Sequence, residues 1–195
     1  MKQDDRLFTL EVCIISGPMT REFVGKNKVI SRTIQICGDQ TLEDLHYAIF
    51  DAFDREDQHM YEFQVGGKGP MDPKARRYVL SGAFENPMPG TPGAAGDVAR
   101  TAVGSLDLKK DDAFGYWFDF GDDWWHQINV TDIKEKAGAG KYPKVTNRVG
   151  KSPPQYVDWD KEEWNVCDGR LRQVATVPSQ HGRKPLCLHR SGWSL

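Results

Sequence analysis

Hydrophobic and polar residues alternate over residues 7–15, with Phe8, Leu10, Val12 and Ile14 on one face and Thr9, Glu11 and Cys13 on the other. That period of two predicts a strand with one buried side. Gly17-Pro18 ends it. A second alternating run over 29–36 sends Ile30, Ile34 and Ile36 inward and Ser31, Thr33 and Gln35 outward. The period then changes. Thr41 is a good N-cap, Asp44 a weaker form of the capping-box partner, and Leu42, Leu45, Ile49 and Phe53 follow at helical spacing.

A short third strand is predicted over 60–65, with Met60, Glu62 and Gln64 opposite Tyr61, Phe63 and Val65. Gly66-Gly67-Lys68-Gly69-Pro70 closes it as a turn, and 77–80 is a candidate further strand. Residues 85–96 hold three prolines and three glycines, the composition of a surface loop. Over 113–133, Tyr116, Phe118 and Phe120 alternate with Trp117 and Asp119, Gly121-Asp122-Asp123 supplies a turn, and Trp124 to Val130 returns. This is a β-hairpin with a heavy aromatic load.

Beyond it, Ala137-Gly138-Ala139-Gly140 and Ser152-Pro153-Pro154 read as irregular, 158–166 as a short helix, and the basic end (Arg183, Lys184, Arg190) as a loosely held tail. The expected fold is α+β: a compact mixed sheet with one main helix packed on it. Residues 1–157 form the expected domain and 158–195 a partly irregular C-terminal extension.

Composition narrows the function classes. The 26 basic and 28 acidic residues nearly cancel, leaving a charge of -2. Such a chain lacks the global field that draws in nucleic acid, and would need a local basic patch. No apolar run approaches the ~18–20 residues of a bilayer span, and the charged start Met1 to Arg6 does not read as a signal peptide. A cytoplasmic protein without membrane contact is expected. Cys13, Cys37, Cys167 and Cys187 are scattered without C-x-x-C spacing, so reduced thiols are expected, with Cys13 and Cys37 placed to face each other across a sheet.

Asp119-Phe120-Gly121 spells a kinase triplet, but the glycine-rich loop, strand lysine and catalytic loop of a kinase are missing. Gly66 to Pro70 lacks the Ser/Thr and following helix of a phosphate loop. His46, His59 and His126 with Asp119, Asp122 and Asp123 are the residue types of an N/O metal site, yet no local ligand spacing joins them. The three aspartates suit acid–base chemistry if crowded or buried, and equally suit hydrogen bonds to a turn backbone. The aromatics point to both faces of the hairpin, so they cannot all share one core; those on the far face suit a protein partner or base stacking. The sequence specifies no cofactor.

Three segments carry a family resemblance: Thr41-Leu42-Glu43-Asp44-Leu45-His46, His59-Met60-Tyr61-Glu62-Phe63, and Tyr116 to His126 around Asp119-Phe120-Gly121-Asp122-Asp123-Trp124. In order and spacing they resemble the plasmid pRiA4b ORF-3-like family over roughly residues 6–157, by its L-x-x-L-H, H-L-x-x-F and Y-x-Y-D-F-G-D-x-W-x-H patterns. Two elements depart. Where the family often has Pro-Pro-Glu-Asp this chain has Pro153-Pro154-Gln155-Tyr156, and the usual P-x-x-W-R is replaced by Gly17 to Phe23. The resemblance implies a compact α+β domain with β-grasp-like strand–strand–helix–strand order, an association with mobile genetic elements, and no agreed activity.

Two functions compete with a purely structural role for these motifs. A non-catalytic binding module for a protein or nucleic-acid partner would use His46, His59, Tyr116, Asp119, Asp122, Asp123, Trp124 and His126 as its surface, with tryptophans partly exposed. A metal-dependent, hydrolase-like enzyme would gather the histidines and aspartates in one pocket. If the motif only closes the core, the tryptophans are fully buried.

Overall fold

A computed structural model describes residues 4–87, 89–90 and 93–157. It is an α+β structure built on one eight-stranded mixed sheet. In chain order the elements are β1 (Leu7–Ser16), α1 (Arg21–Lys26), β2 (Ser31–Cys37), α2 (Leu42–Ala52), β3 (Tyr61–Val65), β4 (Arg76–Val79), α3 (Ser81–Glu85), β5 (Gly96–Asp97), β6 (Ala113–Phe118), β7 (Trp124–Lys134) and β8 (Lys144–Val149), with a 3₁₀ turn at Val103–Leu106. Across the sheet the order is β5-β4-β3-β6-β7-β1-β2-β8, and every pair is antiparallel except β4–β5.

The alternation seen in the sequence sets the register. Phe63 lies opposite Tyr116, Tyr116 opposite His126, and His126 opposite Ile14, so one row of the core crosses four strands. Leu10 faces Ile34 on one side and Val130 on the other. Onto this face α2 lays Leu42, Leu45, His46, Ile49, Phe50 and Ala52, and Phe53 just past its end is fully buried. Its capping box is complete: the Asp44 N–H donates to Thr41 Oγ1 at 3.1 Å and the Thr41 N–H to Asp44 Oδ2 at 2.7 Å.

The other end of α2 has no basic residue in its last turn. Arg32 of β2 donates from Nε to the Ala52 carbonyl at 2.8 Å, and Arg148 of β8 donates to the same oxygen. Two neighbouring strands thus satisfy a helix end that the helix itself does not cap.

Several expectations need correction. Residues 144–149, read as irregular, form β8 against β2, because Val145 and its neighbours find an unpaired edge. Part of the expected 85–96 loop opens with the end of α3 and closes at β5. Cys13 pairs with Ser31 and Cys37 with Leu7, at opposite ends of the β1–β2 ladder, so the two free thiols do not face each other. The hairpin turn is longer than read: β6 stops at Phe118, and Asp119 and Asp123 both take positive φ of 55°. The β-grasp arrangement is not confirmed, since both neighbours of β1 run antiparallel to it. The expected 158–166 helix and basic tail lie outside the described residues.

On the opposite face Glu62 and Gln64 point away from α2, as read, but are buried. Arg77 of β4 bonds both carboxylate oxygens of Glu62, and Gln64 Nε2 donates to Glu62 Oε1 at 2.7 Å. The β3–β4 loop folds back here, its Met71 N–H donating to Gln64 Oε1 at 2.9 Å. Gly115 admits that loop: a Cβ there would stand 3.0 Å from Pro70 Cα.

Residues 150–157 cross the α2–β3 connection as a strap. Gln155 holds it, accepting from the Glu56 and Asp57 N–H groups at 2.8 and 3.1 Å and donating to the Asp57 carbonyl at 2.9 Å. Where the resemblance expects Glu, Gln supplies both an acceptor and a donor, which an ionised Glu does not.

Candidate functional site

The hairpin β6–β7 and α2 bring the candidate residues into three separate environments. The first surrounds Tyr116, fully buried in the middle of the core row. His46, buried on α2, stacks flat on Tyr61 with ring centroids 3.6 Å apart. Its Nε2 lies 3.0 Å from Gln58 Oε1 and its Nδ1 2.8 Å from the Tyr116 hydroxyl. Since Gln58 Oε1 only accepts, the Nε2 proton is donated to it and Nδ1 accepts from Tyr116. Burial depresses the His46 pKa to about 4, against the opposing hydrogen bond to Gln58. Both nitrogens are committed, so neither is a free metal ligand.

His126 flanks Tyr116 on β7, with ring centroids 5.1 Å apart. It is buried, and neither ring nitrogen has a hydrogen-bond partner among the described residues. Burial first, and the nearby Arg55 cation second, depress its pKa to about 3. Two residues earlier on the same face, Trp124 is fully buried with its indole N–H also unpartnered.

The second environment is the hairpin tip. Asp119 Oδ1 accepts from the Gly121 and Asp122 N–H groups at 3.1 and 3.3 Å, an Asx-type turn that stabilises its left-handed backbone. The other oxygen, Oδ2, faces His59 Nε2 at 3.5 Å, and His59 Nε2 is also 2.9 Å from the Tyr156 hydroxyl at the end of the strap. Asp123 Oδ1 accepts from Trp117 Nε1 at 3.0 Å. Asp119 therefore spends one oxygen on the turn backbone, and Asp123 spends one on the Trp117 indole.

The third lies on the far side of the sheet. Trp117 and Trp125, directly opposite each other in the β6–β7 ladder, stack with centroids 4.7 Å apart and planes 9° from parallel. Phe120 packs on Trp117 at 4.1 Å. Both tryptophans are half-buried and Phe120 is exposed. Three aromatic rings thus form a continuous platform on the face turned away from α2.

The site residues read from the sequence are therefore only partly gathered. His46, Tyr116 and His126 meet in the core, and His59 meets Asp119 at the tip. The three histidines do not converge, and among the described residues no group of three or more His, Cys, Asp or Glu side chains is placed to hold a metal. Trp124, expected at a surface, is core. Arg55 was missed. It stands two residues past the helical stripe, and its placement depends on the strap 98 residues away. The open cleft lined by Arg32, Asp54, Arg148 and Lys151 contains none of the candidate residues.

The family description "Plasmid pRiA4b ORF-3-like protein" matches residues 22–160, and the chain belongs to that family. The crystal structure of a protein of unknown function from Methanosarcina mazei Go1, MM3350, is similar with a TM-score of 0.54 and 20% identity, covering 77% of this chain and 72% of that one. This likeness shows the fold. No curated protein matches the chain. No described helix is long and apolar enough to cross a membrane.

Proposed function

We propose that the chain is a non-catalytic protein-binding module whose recognition surface is the Trp117–Trp125–Phe120 platform. One observation carries this reading: two tryptophans are stacked with a third ring on the face turned away from α2, where their apolar area is not used to close the main core. Exposed aromatic clusters of this kind supply large contact area at small cost in side-chain entropy. The adjoining tip carries half-buried Asp122 and exposed Asp123, which oppose a phosphate backbone and favour a basic peptide segment. A lysine or arginine of such a segment would lie over an indole face, with the aspartates beside it.

The test is fluorescence anisotropy of labelled Lys/Arg-rich peptides against the full chain, with single-stranded oligonucleotides in parallel. The Trp117→Ala/Trp125→Ala double variant should weaken peptide binding at least about tenfold, as for loss of aromatic anchors, while still unfolding cooperatively, at a melting temperature lowered by the lost cross-strand stack. Equal binding by the double variant, or preferential binding of the oligonucleotide, would refute the reading.

A further inference from the structure

Arg55 is buried, and among the described residues its guanidinium is not paired with a carboxylate. Its ζ carbon lies 3.8 Å from the centroid of the Trp124 ring, and Nη1 makes one long hydrogen bond of 3.4 Å to the Pro153 carbonyl of the strap. Nη2 has no partner. The nearest buried acid, Asp119, has its oxygens turned to the hairpin backbone and to His59. A cation–π contact returns less than the desolvation of the ion costs. Burial accordingly lowers the Arg55 pKa to about 10.

The same region holds three more atoms with no hydrogen-bond partner among the described residues, Trp124 Nε1 and both ring nitrogens of His126; the Tyr116 and Trp124 backbone lies near His126 and opposes its pKa shift. Unpaired buried polar atoms are rare, and four on three neighbouring side chains form a coherent set. Their chemistry is one-sided. Arg55 Nη2 and Trp124 Nε1 can only donate, and a neutral His126 offers one further donor and one acceptor. What this set lacks is oxygen lone pairs and a single negative charge.

We propose that Arg55, Trp124 and His126 form an internal receptor for a small monovalent oxyanion, a carboxylate or an inorganic equivalent. Arg55 supplies the charge, Trp124 and one nitrogen of His126 supply directed N–H donors, and the strap at Pro153 closes over Arg55. Rings pack closely on the site, Tyr116 at 5.1 Å and Phe53 at 5.4 Å from His126, which restricts the occupant to a few heavy atoms. Occupancy would tie the strap and α2 to the hairpin, whose outer side carries Trp117 and Trp125.

The test uses the ¹⁵N-labelled full chain. Protein is first desalted and denatured, and the released anions are measured by ion chromatography. The native protein is then titrated with sodium acetate and, separately, sodium nitrate, at constant ionic strength set with sodium chloride. The indole N–H resonances are followed after assignment by Trp→Phe variants. A stoichiometric anion released on denaturation, or saturable movement of the Trp124 resonance with those of Trp117 and Trp125 stationary, supports the proposal. The acetate and nitrate arms separate a carboxylate site from an inorganic one. Arg55→Met should abolish the response; because that variant also removes a buried cation–π contact, the wild-type Trp124 titration stands as the deciding measurement. No released anion together with an immobile Trp124 resonance overturns it and leaves water as the occupant. Movement confined to Trp117 and Trp125 overturns it too, and leaves the outer platform reading intact.

Discussion

Tyr116 gives its hydroxyl proton to Nδ1 of His46 across 2.8 Å of buried core. This fixes His46 as a neutral ring, and His126 on the other side of Tyr116 is neutral for a different reason, burial beside the Arg55 cation. Both folded pKa values, about 4 and about 3, lie below the unfolded value of 6.5. The unfolded chain therefore binds more protons in that interval, so stability is full above about pH 6.5 and is lost as pH falls toward 4 and then 3. Urea midpoints measured near pH 7.5 and near pH 5 should differ by about 2–4 kcal/mol in unfolding free energy. A flat profile would contradict two buried neutral histidines.

The second prediction concerns Gly17. A Cβ at this position would stand 2.2 Å from Trp124 Cε3 and 2.6 Å from Cζ3, far inside contact distance. Gly17→Ala should destabilise by about 1–3 kcal/mol through overpacking. It should also shift the Trp124 indole resonance, whereas Gly25→Ala, with open space around it, should leave that resonance unmoved. An unchanged Trp124 signal in Gly17→Ala would argue against this packing.

The third concerns the buried ion pair on the far face. Glu62 is 1% exposed and bonded to Arg77 and Gln64. Arg77→Met strands that carboxylate and should cost about 3–5 kcal/mol by chemical denaturation. The Glu62→Gln/Arg77→Met double variant removes the charge as well and should recover a large part of the loss. A double variant less stable than the sum of its singles would contradict this pairing.

The fourth tests the strap. Gln155→Glu keeps the acceptors for the Glu56 and Asp57 N–H groups but loses the donor to the Asp57 carbonyl. Gln155→Ala loses both. The expected order of stability is Gln, then Glu, then Ala, with the alanine variant down about 1–3 kcal/mol. Amide exchange at Glu56 and Asp57 should rise most in Gln155→Ala, and equal protection in all three would refute the assignment.

The parts of the fold legible in the sequence were those written locally. Leu7 to Ser16 and Thr41 to Phe53 carry their period, cap and buried face within one segment. β8 was not legible because Lys144, Asn147 and Arg148 belong to an exposed edge strand, where the apolar alternation is diluted. Glu62 and Gln64 read correctly as facing away from the helix, but their burial comes from a loop and a neighbouring strand. At the site, the hairpin motif was visible as a unit, while its division between core (Trp124, His126) and outer face (Trp117, Trp125) follows from where the turn begins. Arg55 carried no local signal at all.

The sheet order has a consequence for how the molecule behaves in company. An open eight-stranded sheet has two ends, and each unpaired ladder edge is a template on which another chain can polymerise. Here one end is β5, two residues long and too short to seed a ladder. The other is β8, whose pairing with β2 slips between Thr33 and Ile34 and which carries Lys144 and Arg148. Among the described residues, brevity guards one end and irregularity with positive charge the other, so neither end offers another chain a long, regular ladder edge.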